Sequence, residues 1–223
     1  MEEETQYRIG YIDEDEQQVK RFTRNLRPHG FEVIGYNFYK NMTPESLMEQ
    51  VYNSDIDLLM IDYKLKESNI VGFNGDVIEN LIYNTKPLFP HIIFTSDVDQ
   101  AEAHVEDWKI IYDKGDVFVE EEADTTNSDR FVKMLTRSIE QYKKYIELRK
   151  QALSLLLQKG ESEGLNAAEK NEILSLQEEL NNLDKSKKAE IPKQLISIEK
   201  LETLAKSRKE AEEFLQSLMN KNK

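Results

Sequence analysis

Five short apolar runs alternate with stretches of helical periodicity, and that alternation leaves few folds open. The runs are Arg8–Ile12, Phe31–Tyr36, Leu58–Ile61, Ile92–Thr95 and Ile110–Tyr112. Between the first two, Val19, Phe22 and Leu26 recur at helical spacing over Glu16–Leu26, and Pro28-His29-Gly30 ends that helix. Thr43-Pro44-Glu45 opens a second helix to about Tyr52, with proline at the first helical position. Gly75–Tyr83 reads as a third helix and Ala101–Glu106 as a short fourth. Strands alternating with helices predict an α/β fold, a five-stranded parallel doubly wound sheet of the flavodoxin-like kind. The third run is apolar at every position, which suits a strand buried on both faces.

Acids stand where two of these runs end. The first runs into Asp13-Glu14 and the third into Asp62. In an open parallel sheet the carboxyl ends of the strands share one edge, where such folds bind ligands. Carboxylates gathered there repel one another, by roughly 4 kcal/mol for two charges 4 Å apart at an effective dielectric of 20. A hard, oxygen-preferring cation such as Mg²⁺ relieves that repulsion.

From Asp129 to about Gln158 the pattern changes. Phe131, Leu135, Ile139, Tyr142, Ile146, Leu153 and Leu156 mark one long amphipathic helix, about 45 Å at 1.5 Å per residue. A helix closing a small α/β domain needs about half that, so this one is expected to project beyond it. Gly160 and Gly164 are expected to break it. Asn166-Ala167-Ala168-Glu169 has the form of a capping box and opens a second helix carrying Ile173, Leu176, Leu180 and Leu183. A polar loop with Pro192 precedes a last helix through Ile198, Leu201, Leu204, Ala211, Leu215 and Leu218. The expected organisation is an α/β domain over 1–145, its last helix running on to about 158, and an all-α hairpin or bundle over 159–223. The same heptad-like spacing also suits a homodimer.

Charge narrows the partners. The net charge of −13 lies within residues 1–146, which hold 16 Lys and Arg against 29 Asp and Glu, whereas residues 147–223 hold 14 of each. Neither part has the basic surface that phosphate backbones require, so no nucleic acid partner is expected. There is no cysteine, which removes thiol nucleophiles, disulfides and thiolate metal sites. The acidic start Met-Glu-Glu-Glu-Thr is unlike a secretory signal and no apolar run is long enough to span a membrane, so a cytoplasmic location is expected.

Taken in order, these residues resemble a response-regulator receiver domain of two-component phosphorelay systems, from about Tyr7 to Tyr145. The resemblance rests on the paired acids Asp13-Glu14 after the first strand and on Gly30 at the turn before the second. It rests equally on Asp57-Leu-Leu-Met-Ile-Asp62, close to the family's Asp-Leu-Val-Leu-Leu-Asp, on Ile92-Ile93-Phe94-Thr95-Ser96, and on Lys114 after the fifth strand. Each is weak alone; their order on the right strand ends carries the likeness. It implies that Asp62 accepts a phosphoryl group from a phosphohistidine of a partner histidine kinase. Glu14, Asp62 and the backbone carbonyl of Lys64 would hold Mg²⁺, with Asp13 acting mainly through bound water. Lys114 would pair with the phosphoryl group, and Thr95 would donate its hydroxyl to it and draw its loop inward.

The sequence departs from the family's pattern in four places. The second pocket acid is Glu14, longer than the usual Asp. Gly115 follows Lys114 where the family usually has Pro. Ile111 stands where many receivers carry a switching aromatic, so that switch is missing or rerouted. Lys66-Glu67-Ser68-Asn69-Ile70 is extra chain beside the site. Lys64 and Asp97, two residues beyond Asp62 and Thr95, are expected either to pair across the mouth of the site or to be two separate solvated charges. His29, His91 and His104 are scattered and carry no catalytic assignment; Trp108 and Tyr112 read as packing residues, and Glu120-Glu121-Glu122 as a solvated loop. The implied role is a phospho-accepting protein, not an enzyme beyond its own phosphorylation and dephosphorylation. Its output would run through a second regulator or effector protein, or it would serve as a phosphoryl sink. The alternatives are a phosphorylation-controlled dimer, a DNA-binding regulator and a metal-dependent hydrolase using the same acids.

Overall fold

The computed structural model describes residues 7–118 and 126–183. Strands β1 (Tyr7–Ile12), β2 (Phe31–Gly35), β3 (Leu58–Ile61), β4 (His91–Thr95) and β5 (Ile111–Asp113) alternate with helices α1 (Glu16–Leu26), α2 (Pro44–Asn53), α3 (Gly75–Thr85) and α4 (Val98–Glu102). The five strands form one parallel sheet in the order β2-β1-β3-β4-β5. This is the flavodoxin-like doubly wound order, which reverses direction beside β1.

Side-chain alternation builds the two layers. Leu58 and Met60 face one side with Ile9, Tyr11, Ile92 and Phe94, where Phe22 and Leu26 of α1 cover them. Leu59 and Ile61 face the other side, against Leu47, Val51, Ile78 and Ile82 of α2 and α3. All four β3 residues are fully buried, which accounts for the unbroken apolar run. Burying each such side chain stabilises the fold by about 1.5–3 kcal/mol.

Local chemistry sets the helix ends. The Asp15 carboxylate accepts the Gln17 N–H at 2.8 Å and starts α1; Gly30, at φ +81°, takes the left-handed turn that closes its exit. Thr43 caps α2, with Pro44 at its first turn. The short fourth helix lies three residues earlier than Ala101–Glu106. Asp97 accepts the Gln100 N–H and nucleates it there, and the helix ends at Glu102. The extra chain after Asp62 is anchored in the core. Leu65 is fully buried and opens a 3-10 turn over Leu65–Ser68, Asn69 takes φ +59°, and Val71 and Phe73 return inward.

Helix α5 runs unbroken over Thr126–Ser162 and buries Phe131, Leu135, Ile139 and Tyr142. Gly160 lies within it, where a Cβ would come 3.0 Å from Leu165; the missing side chain lets the following turn close on the helix. The break falls after Ser162, with Gly164 at φ +80°. Asn166 and Glu169 then form the reciprocal capping box, at 2.9 and 3.0 Å, that starts α6 (Ala167–Leu183). α6 returns along α5, with Arg149 bonded to Glu179 and Ile173 buried. Its end is fastened at the edge where β4 begins: Leu183 is fully buried with Phe89 and Tyr142, the Tyr142 hydroxyl donates to the Leu183 carbonyl, and Lys86 donates to the Asn181 carbonyl. The last helix expected from the sequence, through Ile198 and Leu218, lies outside the described residues. Among the described residues, no helix is long and apolar enough to cross a membrane.

Candidate functional site

The sheet order brings β1 and β3 side by side, with Ile12 opposite Ile61, so Asp13 and Asp62 leave adjacent strands at the same edge. β4 places Thr95 next to Asp113 of β5, and the chain turns there so that Lys114 re-enters the edge. The Lys114 N–H donates to the Thr95 carbonyl at 2.8 Å, continuing the ladder one residue past the strand. Four of the residues expected from the sequence therefore converge. Asp13, Glu14 and Asp62 each offer a carboxylate oxygen, all within 4.8 Å of one another. The Lys114 ammonium bridges Asp13 Oδ2 at 2.8 Å and Asp62 Oδ1 at 2.9 Å.

The acids differ in how fully they are engaged. Asp13 is buried and both its oxygens are bonded. Oδ1 accepts the Asp15 N–H at 2.9 Å, and Oδ2 accepts the Tyr11 hydroxyl at 2.6 Å as well as Lys114. Glu14 Oε2 is buried with no hydrogen-bond partner. Burial, and then the neighbouring Asp13 and Asp62, push the Glu14 carboxyl up to about 7. Burial also raises Asp62, against the opposing pull of Lys114. Burial beside these acids drives the Tyr11 phenol far above its usual range, so it stays a donor. An orphaned buried oxygen, a carboxylate cluster and hard oxygen ligands together fit Mg²⁺. Glu14 and Asp62 have ligand capacity to spare, while Asp13 is already satisfied by hydrogen bonds.

The acids and Lys114 line an open cleft of about 350 Å³ that also reaches Arg21, Lys64, Glu67 and Ser96. The Lys64 ammonium meets Asp97 at 2.9 Å, and Glu67 of the extra segment at 2.9 Å. The two charges thus pair at the mouth, which raises Lys64 and lowers Asp97. Thr95 is fully buried at the strand end, where its hydroxyl accepts the Asp97 N–H at 3.1 Å; Ser96, one residue on, faces the cleft. Behind β3, Gly75 packs directly on the Asp62 carbonyl, and any side chain there would collide with that backbone. Its N–H donates to the Tyr63 carbonyl at 2.8 Å, which joins the start of α3 to the chain just after Asp62.

Three contributors were not singled out in the sequence. Tyr11 was legible in principle, since residues two apart on a strand share a face and Tyr11 stands two before Asp13. Arg21 lies on the turn of α1 facing the cleft, and its Nε is buried with no hydrogen-bond partner. Glu67 carried no signal of its own, because nothing in an inserted segment tells which of its residues turns back.

No protein-family model matches this sequence, and no curated protein does. Several solved structures are similar to part of this chain. A Francisella response regulator receiver domain is 9% identical, with 60% of this chain and 98% of that chain covered at a TM-score of 0.42. A response regulator from Thermotoga maritima, solved in complex with Mg²⁺-BeF, is 16% identical, with 58% and 98% covered at 0.40. A CheY-like receiver domain protein from Methanospirillum hungatei is 18% identical, with 62% and 98% covered at 0.40.

Proposed function

We propose that this chain is a phospho-accepting receiver of a two-component signalling pathway, with Asp62 as the acceptor. The observation that carries the reading is the Lys114 bridge between Asp13 and Asp62, beside a buried and unpartnered Glu14 oxygen. A lysine held between two acids stands ready to meet a further negative group. A glutamate oxygen with no hydrogen bond stands ready for a cation.

An Asp62 carboxylate oxygen attacks the phosphorus of a phosphohistidine on a partner histidine kinase. The new phosphorus–oxygen bond forms as the phosphorus–nitrogen bond breaks, and the bonding pair leaves on the imidazole nitrogen. Asp62 enters as the anion, so it has no proton to lose. In-line phosphoryl transfer depends on positioning and on neutralising charge on the equatorial oxygens. Lys114 supplies one positive charge there, and Mg²⁺ held by Glu14 and Asp62, with Lys64 contributing its carbonyl, would supply the other. Thr95 and its neighbour Ser96 stand at the end of β4, from which a hydroxyl can reach a phosphoryl oxygen. The Lys64–Asp97 pair at the mouth restricts water and so prolongs the phosphorylated state. The charge-neutral helical tail favours output by protein–protein contact, or service as a phosphoryl sink, over DNA binding.

Phosphotransfer from candidate kinases to wild-type protein and to Asp62→Asn tests the reading. Labelling is expected on the wild type and absent from the variant. Equal labelling of the two removes Asp62 from its role.

A further inference from the structure

Tyr11 is more than a core aromatic. Its ring is wholly buried and held edge-on against Phe22, at 5.8 Å between centroids and 89° between planes, and against Phe94 at 6.1 Å. It cannot swing. Its hydroxyl points at the acid cluster and donates to Asp13 Oδ2 at 2.6 Å, the same oxygen that takes the Lys114 ammonium at 2.8 Å. Lys114 also lies 5.5 Å from the centre of the Tyr11 ring. One carboxylate oxygen thus has two donors, of which one is fixed and the other sits on a flexible stem.

We propose that Tyr11 is a positioning residue that makes Lys114 releasable from Asp13. The inference rests on the receiver reading above and deepens it. For Lys114 to pair with a phosphoryl group on Asp62, it must let go of Asp13. A buried carboxylate oxygen stripped of its last donor bears a full desolvation penalty. With Tyr11 in place, Asp13 Oδ2 stays hydrogen-bonded throughout and the lysine leaves at little cost. With phenylalanine there, Lys114 is the sole side-chain donor to that oxygen and is retained by it. The competing explanation is that a buried tyrosine merely found an acceptor for its hydroxyl. In that case Tyr11→Phe changes stability and nothing else.

The test is a double-mutant cycle between Tyr11→Phe and Lys114→Ala, read as the rate of Asp62 labelling by a small acyl phosphate. Mg²⁺ affinity of the unphosphorylated protein is measured alongside by titration calorimetry. Where Lys114→Ala labels too slowly to follow, binding of Mg²⁺ with beryllofluoride, a phosphoryl mimic, gives the same cycle. Tyr11→Phe keeps the ring and its packing, and a thermal melt checks the fold. The expected result is labelling about tenfold slower in Tyr11→Phe, the scale of one hydrogen bond to a buried charge. Mg²⁺ affinity should stay within about threefold, because Tyr11 is not a ligand, and Tyr11→Phe should have no further effect once Lys114 is absent. Unchanged labelling in Tyr11→Phe overturns the proposal, and so does an equal slowing with and without Lys114. A wild type that neither labels nor binds Mg²⁺ fails differently: it removes the receiver reading itself.

Discussion

The two edges of the sheet are built on opposite terms. At the carboxyl edge three acids and one lysine crowd together, Glu14 keeps an unpartnered oxygen, and Glu14 and Asp62 are held above their ordinary pKa ranges. At the other edge the chain closes on itself. Leu183 fills a space between Phe89 and Tyr142, and the last carbonyls of α6 take side-chain donors. The first edge spends folding free energy on charges that repel, and the second recovers it from apolar burial. Among the described residues, α6 docks at the edge where β4 begins, and the open cleft lies at the acidic edge.

The largest effect that bears on this contrast is expected at the closed edge. Leu183→Ala should cost about 2–5 kcal/mol, as for other fully buried leucines, and urea unfolding measures it. Labelling of Asp62 in the protein that remains folded should not change. A loss below about 0.5 kcal/mol would mean that α6 does not stabilise the domain.

A smaller effect is expected at the acidic edge, from pH. The Glu14 carboxyl is raised from 4.5 to about 7 in the folded protein, so between those values the folded state holds its proton more tightly than the unfolded chain does. The resulting stability is fully present below about 4.5 and is lost as pH rises through 7; the raised Asp62 acts in the same direction. Glu14 is only half-buried, so screening leaves about 1 kcal/mol, or about 2–4 °C in Tm between pH 5 and 8 without divalent cations. Glu14→Gln should flatten that fall. A metal-free Tm that instead climbs from pH 5 to 8 would contradict the strain assigned to this edge.

The smallest effect should come from the mouth. The Lys64–Asp97 pair stands at the rim of the cleft with its side chains 27% and 24% exposed, so Lys64→Ala and Asp97→Ala should each leave the thermal unfolding midpoint almost unchanged. If the pair restricts water, each should speed loss of the phosphoryl group by about two- to fivefold. Dephosphorylation rates equal to wild type would leave the pair as ornament on the surface.

Most of the sheet and the heart of the site were legible from residues alone. The strand boundaries agree to within one residue and α1 agrees at both ends, because buried strands and capped helices write their periodicity into the chain. The fourth helix was displaced, since one capping aspartate, Asp97, outweighed the apolar spacing that followed it. Gly160 looked like a breaker, yet it is a packing site for Leu165, and only the partner's position reveals that. The docking of Leu183 was hidden because it continues the same apolar series as Ile173 and Leu176. Nothing local says that the last member leaves the hairpin for the domain. Asp13, Glu14, Asp62 and Lys114 were legible because strand order alone brings strand ends together, whereas Glu67 depended on the path of an irregular loop.

Lys114 makes the acidic edge resemble an ion exchanger whose resident cation cannot diffuse away. A free counterion displaced by an incoming metal is lost to the solvent. The ammonium of Lys114 is tethered, and it stays within a side chain's reach of Asp13 and Asp62 whatever else enters. A cation entering there would therefore add a positive charge to the edge without removing the first. Occupancy by a metal would also depend less on bulk monovalent salt than at a site neutralised from solution, because the edge's own cation is present at a concentration that dilution cannot change.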